Sequence, residues 1–82
     1  MNTNQLRKIA KRGELGDPII LQNKSGYLVG YELEQLELIT SINSKQTRCF
    51  KRLDSALAAA SSVAPLDQVT FRQIDMEIQP NE

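Results

Sequence analysis

The sequence predicts a small α+β domain in which one amphipathic helix covers one face of an antiparallel β-sheet. Residues 53–63 carry apolar side chains every three or four positions, which is the spacing of a helix with one buried face. Four short segments before that helix are rich in β-branched or alternating apolar residues and are separated by turn residues. Residues 68–78 again resemble a strand. We therefore expect a meander of four short strands, the helix, and a final strand.

The chain of 82 residues has room for one domain with one small core. Its organisation divides into three parts. Residues 1–15 form a basic N-terminal arm that is either mobile or a short helix, residues 16–78 form the α+β domain, and residues 79–82 are a frayed end.

The four predicted strands cover residues 19–21, 27–31, 36–42 and 46–50. Gly30 inside the second strand indicates a bulge or the close approach of another segment. The third strand has a competing helical interpretation, because apolar residues also recur every three positions from 33 to 42. On the strand interpretation, Ile39 faces away from the side that Leu36 and Leu38 share.

The helix is predicted over residues 52–63, with Asp54 in its first turn and Pro65 after its end. A capping serine would suit the start better than Arg52, which leaves the first residue of the helix open. The final strand is expected from residue 68 to about residue 76. The predicted core is Leu36, Leu38, Ile42, Phe50, Leu53, Leu57 and Ala60.

Composition excludes several classes of protein. Ten basic and ten acidic residues give a formal charge of zero, which argues against a protein whose whole surface binds polyanions. No apolar run approaches the roughly 20 residues that span a bilayer, and no signal sequence is evident. A single cysteine, Cys49, forms no internal disulfide, so we expect a reducing, cytoplasmic compartment.

The sequence favours a protein without catalytic, cofactor-binding or metal-binding residues. It has no histidine, and therefore no imidazole base or imidazole metal ligand. Cys49 beside Arg48 and Lys51 has the surroundings of a nucleophile, but a small buried core residue is the simpler interpretation. The acidic group at residues 32, 34 and 37 fits a solvated turn better than a metal site.

Basic residues form two groups that are candidates for contact with DNA or with a protein partner. Ordinary surface charge is the alternative interpretation. The candidates are Arg7, Lys8, Lys11, Arg12, Lys45, Arg48, Lys51 and Arg52.

A homodimer is predicted from the C-terminal segment. Ile74, Met76 and Ile78 lie on the face opposite Val69 and Phe71, and one helix covers only one face of the sheet. A second copy of the chain would cover these residues.

Three stretches together resemble a known family: KIAKRGELGDPIIL at 8–21, LVGYE at 28–32 and FKRLDSAL at 50–57. They are similar to the small bacterial, often plasmid-borne, ParC-type partition- or stability-associated proteins. The resemblance implies a bacterial, mobile-element setting and a role beside DNA maintenance without catalysis. It transfers no binding residues.

These observations predict a non-catalytic binding module that acts in plasmid or mobile-element maintenance and binds protein or DNA. The alternative is an oligomeric structural or antitoxin-like protein without nucleic-acid contact.

Overall fold

The fold is α+β, with two helices and one mixed sheet. The computed structural model describes residues 1–75 and 77–80. In chain order the elements are α1 (Thr3–Lys11), β1 (Pro18–Gln22), β2 (Tyr27–Glu32), β3 (Leu36–Leu38), α2 (Leu53–Val63) and β4 (Thr70–Gln73). The strands lie in the order β3-β2-β1-β4.

The prediction of an antiparallel meander is only partly right. The β1–β2 and β2–β3 pairs are antiparallel, but β4 pairs with β1 in parallel. The first three strands alternate in direction, so β3 runs parallel to β1 and to β4. Helix α2 therefore forms the crossover between two parallel strands, β3 and β4, at opposite edges of the sheet.

The predicted fourth strand at 46–50 is wrong. This segment makes two isolated bridges, Thr40 with Thr47 and Tyr27 with Phe50. The Tyr27 and Phe50 backbones exchange two hydrogen bonds of 2.7 and 2.8 Å, so the segment touches the start of β2 without extending along it.

The third strand is shorter than predicted, and its interpretation as a strand is right. It ends at Leu38 and is followed by Ile39, whose N–H donates to Val29 O at 2.9 Å. Ile39 points away from Leu38, as expected, but the face it joins is the one that the helices cover, and Ile39 is fully buried. Ile42, which the sequence predicts in the core, is instead 62% exposed, because the chain has left the sheet before it.

Helix α1 is capped at both ends. Asn2 is the N-cap, and its side chain forms a capping box with Gln5. Gly13 ends the helix with φ +71°, a left-handed conformation that glycine adopts without steric cost. Leu6 is fully buried among the core residues beneath both helices, so the first residues contribute to the core.

Helix α2 begins at Leu53, with Arg52 as an N-cap that makes no side-chain capping bond. Its buried residues are small, Ala56 and Ala60, followed by Val63 near the C-terminus. Small side chains allow the helix to approach α1 and the sheet closely. The partly buried Leu53 and Leu57 flank this contact.

Two apolar clusters lie on the two faces of the sheet. The helix-side cluster comprises Leu6, Ile20, Val29, Tyr31, Ile39, Phe50, Ala56, Ala60 and Val63. The second cluster comprises Ile19, Leu21, Leu28 and Cys49, with Leu38, Ile74 and Ile78 packed against it. Of the predicted core, Phe50 and Ala60 are buried, whereas Leu36 lies at the surface of the β3 edge.

Glycines permit two close approaches to the strands. A Cβ at Gly30 would meet the side chains of Leu36 and Leu38, which confirms the predicted approach of another segment. A Cβ at Gly26 would overlap the carbonyl oxygen of Phe50. The side chains near Gly30 can move aside, whereas the contact at Gly26 is with backbone atoms.

We expect Phe50→Ala to lower the free energy of unfolding by about 3–5 kcal/mol, because Phe50 is 2% exposed and its removal leaves a cavity. Ile42→Ala is the matched control and should change stability by less than about 0.5 kcal/mol. Urea unfolding followed by circular dichroism measures both. Equal effects would contradict the described core.

We expect Gly26→Ala to be strongly destabilising, because its methyl group displaces the Phe50 backbone that pairs with Tyr27. Gly16→Ala serves as the control, since a Cβ at Gly16 meets no atom within 4 Å. Thermal melting of the two variants tests this difference. A Gly26 variant as stable as the Gly16 variant would show that the Phe50 segment lies elsewhere.

Candidate interaction surface

Strand β4 is an open edge of the sheet, and all four of its residues are exposed. We call Thr70–Gln73 the β4 edge. Ile74 N–H donates to Gln22 O at 2.9 Å, so the backbone polar groups of Ile74 face β1. Because these groups alternate in direction along a strand, Thr70 and Arg72 also face β1, while Phe71 and Gln73 face outward. Within the described residues, no hydrogen bond reaches those outward groups.

Phe71 is the main apolar feature of the β4 edge. Its register opposite Ile20 places the ring on the helix-covered face of the sheet, yet the side chain remains 58% exposed. Neither helix reaches far enough to bury it. The β4 edge therefore combines unpaired backbone groups with an exposed aromatic ring, the two features that a partner strand can use.

The opposite edge of the sheet is shorter and partly covered. Strand β3 has three residues. The N-terminal amine of Met1 donates to Leu38 O at 3.3 Å, and Thr40 N–H donates to Met1 O at 2.8 Å. Met1 thus occupies hydrogen-bonding positions at the end of β3, and no described residue does so at β4.

Four of the eight predicted basic contact residues are engaged within the chain. Arg7 donates from Nε to Ser62 O at 2.6 Å, at the C-terminal end of α2, where a positive charge is stabilised by the helix dipole. Arg12 and Arg52 form ion pairs of 3.2 Å with their near neighbours Glu14 and Asp54.

Arg48 lies with its guanidinium 4.8 Å from the centre of the Phe50 ring, in a cation–π contact. The other four candidates are exposed and form no ion pair with any residue that the structure describes. They are Lys8, Lys11, Lys45 and Lys51.

The predicted dimer residues lie against their own sheet. Ile74 and Ile78 pack on the second cluster and cover the face opposite the helices. Met76 lies outside the described residues. The C-terminal segment itself thus covers the face for which we expected a second chain.

Asn23, one of the turn residues between the first two predicted strands, fixes that segment. Its side-chain oxygen accepts hydrogen bonds from the N–H groups of Ser25 and Gly26 at 2.9 and 2.7 Å. Its side-chain nitrogen donates to Ile78 O at 3.0 Å. One buried amide therefore shapes the β1–β2 turn and ties the C-terminal segment to it.

The acidic residues at 32, 34 and 37 do not converge on a site. Glu32 and Glu34 are exposed, and Glu37 lies 3.9 Å from the N-terminal amine. Across residues 1–75 and 77–80, no three potential metal-ligating side chains of His, Cys, Asp or Glu cluster together.

Two buried groups have altered ionisation. Burial raises the pKa of the Cys49 thiol, although hydrogen bonds with the Tyr27 backbone and the Asn23 side chain lower it in part. Burial also raises the pKa of Tyr31 to about 12, and its hydroxyl lies 3.5 Å from Ala60 O. Cys49 therefore occupies the core position that the sequence favoured, with its thiol held neutral.

No protein-family model, curated protein or solved structure matches the chain. In the described part of the chain, neither helix has the length and apolar character needed to cross a bilayer.

We expect the free energy of unfolding to fall as pH rises from 10 to 12. Unfolded Tyr31 loses its proton near pH 10.0, whereas the folded protein retains it to about pH 12, so alkali favours the unfolded chain. The loss attributable to Tyr31 is about 2–3 kcal/mol. Tyr31→Phe should remove that part of the decline, measured by urea unfolding at pH 8 and pH 11.5. An unchanged slope in the variant would contradict this assignment.

Proposed function

We propose that the chain is a non-catalytic interaction module that binds protein by accepting a strand at the β4 edge. The observation that carries this proposal is that the backbone N–H and C=O groups of Phe71 and Gln73 face outward, and that the Phe71 ring beside them is exposed. Added strands bind through backbone hydrogen bonds, and the side chains that flank them provide selectivity.

A protein partner has more support than DNA. Arg7, Arg12 and Arg52 bind oxygen atoms of the chain itself, and Arg48 stacks on Phe50. Contact with phosphate groups would compete with these interactions. The four remaining lysines are spread over α1, the 40–47 loop and the segment before α2, in a protein of zero formal charge.

The absence of catalysis is supported by the side chains themselves. The sequence has no histidine, and its one thiol is fully buried with a raised pKa, so it is a poor nucleophile. The setting in plasmid or mobile-element maintenance is supported by the ParC-type resemblance alone. The alternative is an oligomeric structural or antitoxin-like protein without nucleic-acid contact.

Gln73→Pro tests this function with Gln73→Thr as its control. Proline removes the outward N–H while leaving the Ile74–Gln22 hydrogen bond to β1, and edge strands tolerate proline at such positions. We expect protein captured by the tagged chain from a lysate of its native host to fall about tenfold or more with Gln73→Pro, and to persist with Gln73→Thr.

Titration of duplex DNA at two salt concentrations completes the test. We expect no binding at low salt. Binding that weakens steeply with salt and is reduced by Lys8→Ala with Lys11→Ala would instead support the DNA interpretation. Capture that is equal for both Gln73 variants would exclude the β4 edge as the binding site.

A further inference from the structure

We propose that the strand which occupies the β4 edge comes from a second copy of this chain, paired antiparallel about a two-fold axis at Phe71. The inference rests on the proposed function, because both use the same edge. The resulting dimer has one continuous eight-stranded sheet, with the helices of both copies on the same face. Such an interface places the same segment of each copy, residues 69–73, against itself.

The backbone restricts the possible registers. Phe71 and Gln73 face outward, and by alternation so does Val69, while Thr70 and Arg72 bond to β1. In an antiparallel pair, outward-facing residues must lie opposite outward-facing residues. Registers can therefore differ only by steps of two residues, and the two-fold axis passes between two copies of Thr70, Phe71, Arg72 or Gln73.

The Phe71-centred register uses the whole edge. It pairs Phe71 with Phe71 of the second copy, and each Val69 with a Gln73. The Thr70-centred register instead places Gln73 opposite Asp67, where the chain bends before the strand. The Gln73-centred register places Phe71 opposite Asp75, after the strand has ended. Both lose backbone hydrogen bonds that the Phe71-centred register makes.

Charge and apolar contact decide between the remaining two registers. Centring on Arg72 places two guanidinium groups directly opposite each other, which is unfavourable. Centring on Phe71 places each Arg72 opposite the uncharged Thr70 of the second copy. The only charged residue of β4 therefore does not lie opposite another arginine. It also brings together the two Phe71 rings, each 58% exposed in the single chain, and each ring covers the other.

The side chain pattern of β4 thus matches itself in one register. An unrelated peptide would gain the same backbone hydrogen bonds, but nothing in β4 selects its sequence. A second copy places a Phe71 ring against Phe71 and an uncharged Thr70 opposite each Arg72. We therefore assign the edge to self-association.

Disulfide trapping tests the register directly. In the Phe71-centred dimer, Thr70 lies opposite Arg72 of the second copy, at about 4.5 Å between Cα atoms. Two copies of Thr70, or two of Arg72, are about 8 Å apart, beyond the usual reach of a disulfide. Equimolar Thr70→Cys and Arg72→Cys proteins, one carrying a mass tag, should form the mixed cross-linked dimer under mild oxidation, while each alone should not. Wild type, whose Cys49 is buried, is the control.

The other cross-linking patterns overturn the proposal. Cross-linking of Thr70→Cys alone indicates the Thr70-centred register, and cross-linking of Arg72→Cys alone indicates the Arg72-centred one. Failure of every combination excludes the registers centred on Thr70, Phe71 and Arg72, and with them the proposed dimer.

Sedimentation equilibrium gives an independent test without cysteines. We expect a wild-type dimer, and a dissociation constant raised about 10- to 100-fold by Gln73→Pro, because the dimer loses two backbone hydrogen bonds. Gln73→Thr should leave it near the wild-type value. A wild type that stays monomeric to about 1 mM, or a dimer insensitive to Gln73→Pro, overturns self-association at this edge.

The two proposals fail in different ways. A monomeric wild type that still captures host protein in a Gln73→Pro-sensitive manner refutes the dimer and leaves the interaction module. A monomer whose capture does not depend on Gln73 refutes both.

Discussion

The contact between Gly26 and the backbone of Phe50 is the constraint on which much of the fold depends. Without a side chain at position 26, the Phe50 backbone can reach the start of β2, where its carbonyl accepts from Tyr27 N–H and its N–H donates to Tyr27 O. This contact fixes the extended segment before α2, so that Cys49 and Phe50 enter opposite clusters. Because Phe50 lies just before α2, this contact also sets where α2 begins and, through α2, where β4 joins the sheet.

Sequence patterns predicted the α+β class, α2, the β1–β2 pair and the close approach at Gly30, because each depends on local periodicity or turn chemistry. They did not predict that β4 is parallel to β1, since nothing local in Thr70–Gln73 records which strand it meets. The 46–50 segment alternates like a strand but makes only isolated bridges. Tertiary contact, rather than local propensity, decided its conformation.

The surface was harder to predict than the core. Arg7 and Arg48 were predicted candidates for contact with a partner, yet a helix carbonyl and an aromatic ring engage them in the fold. Ile74 and Ile78 were correctly placed on the face opposite Phe71, but their own sheet covers them. The openness of the β4 edge follows only from strand order, which single-sequence periodicity does not contain.

The parallel pairing of β1 and β4 also sets an order of events during synthesis on the ribosome. Ile19 pairs with Thr70, about fifty residues later in the chain. The β1–β2 hairpin therefore emerges with one side of β1 unpaired, and that side stays available until residues 70–73 have left the exit tunnel. Until then the open edge is β1, whose Ile19, Ile20 and Leu21 are buried in the folded domain, so this interval is when contact with neighbouring chains or chaperones is most consequential.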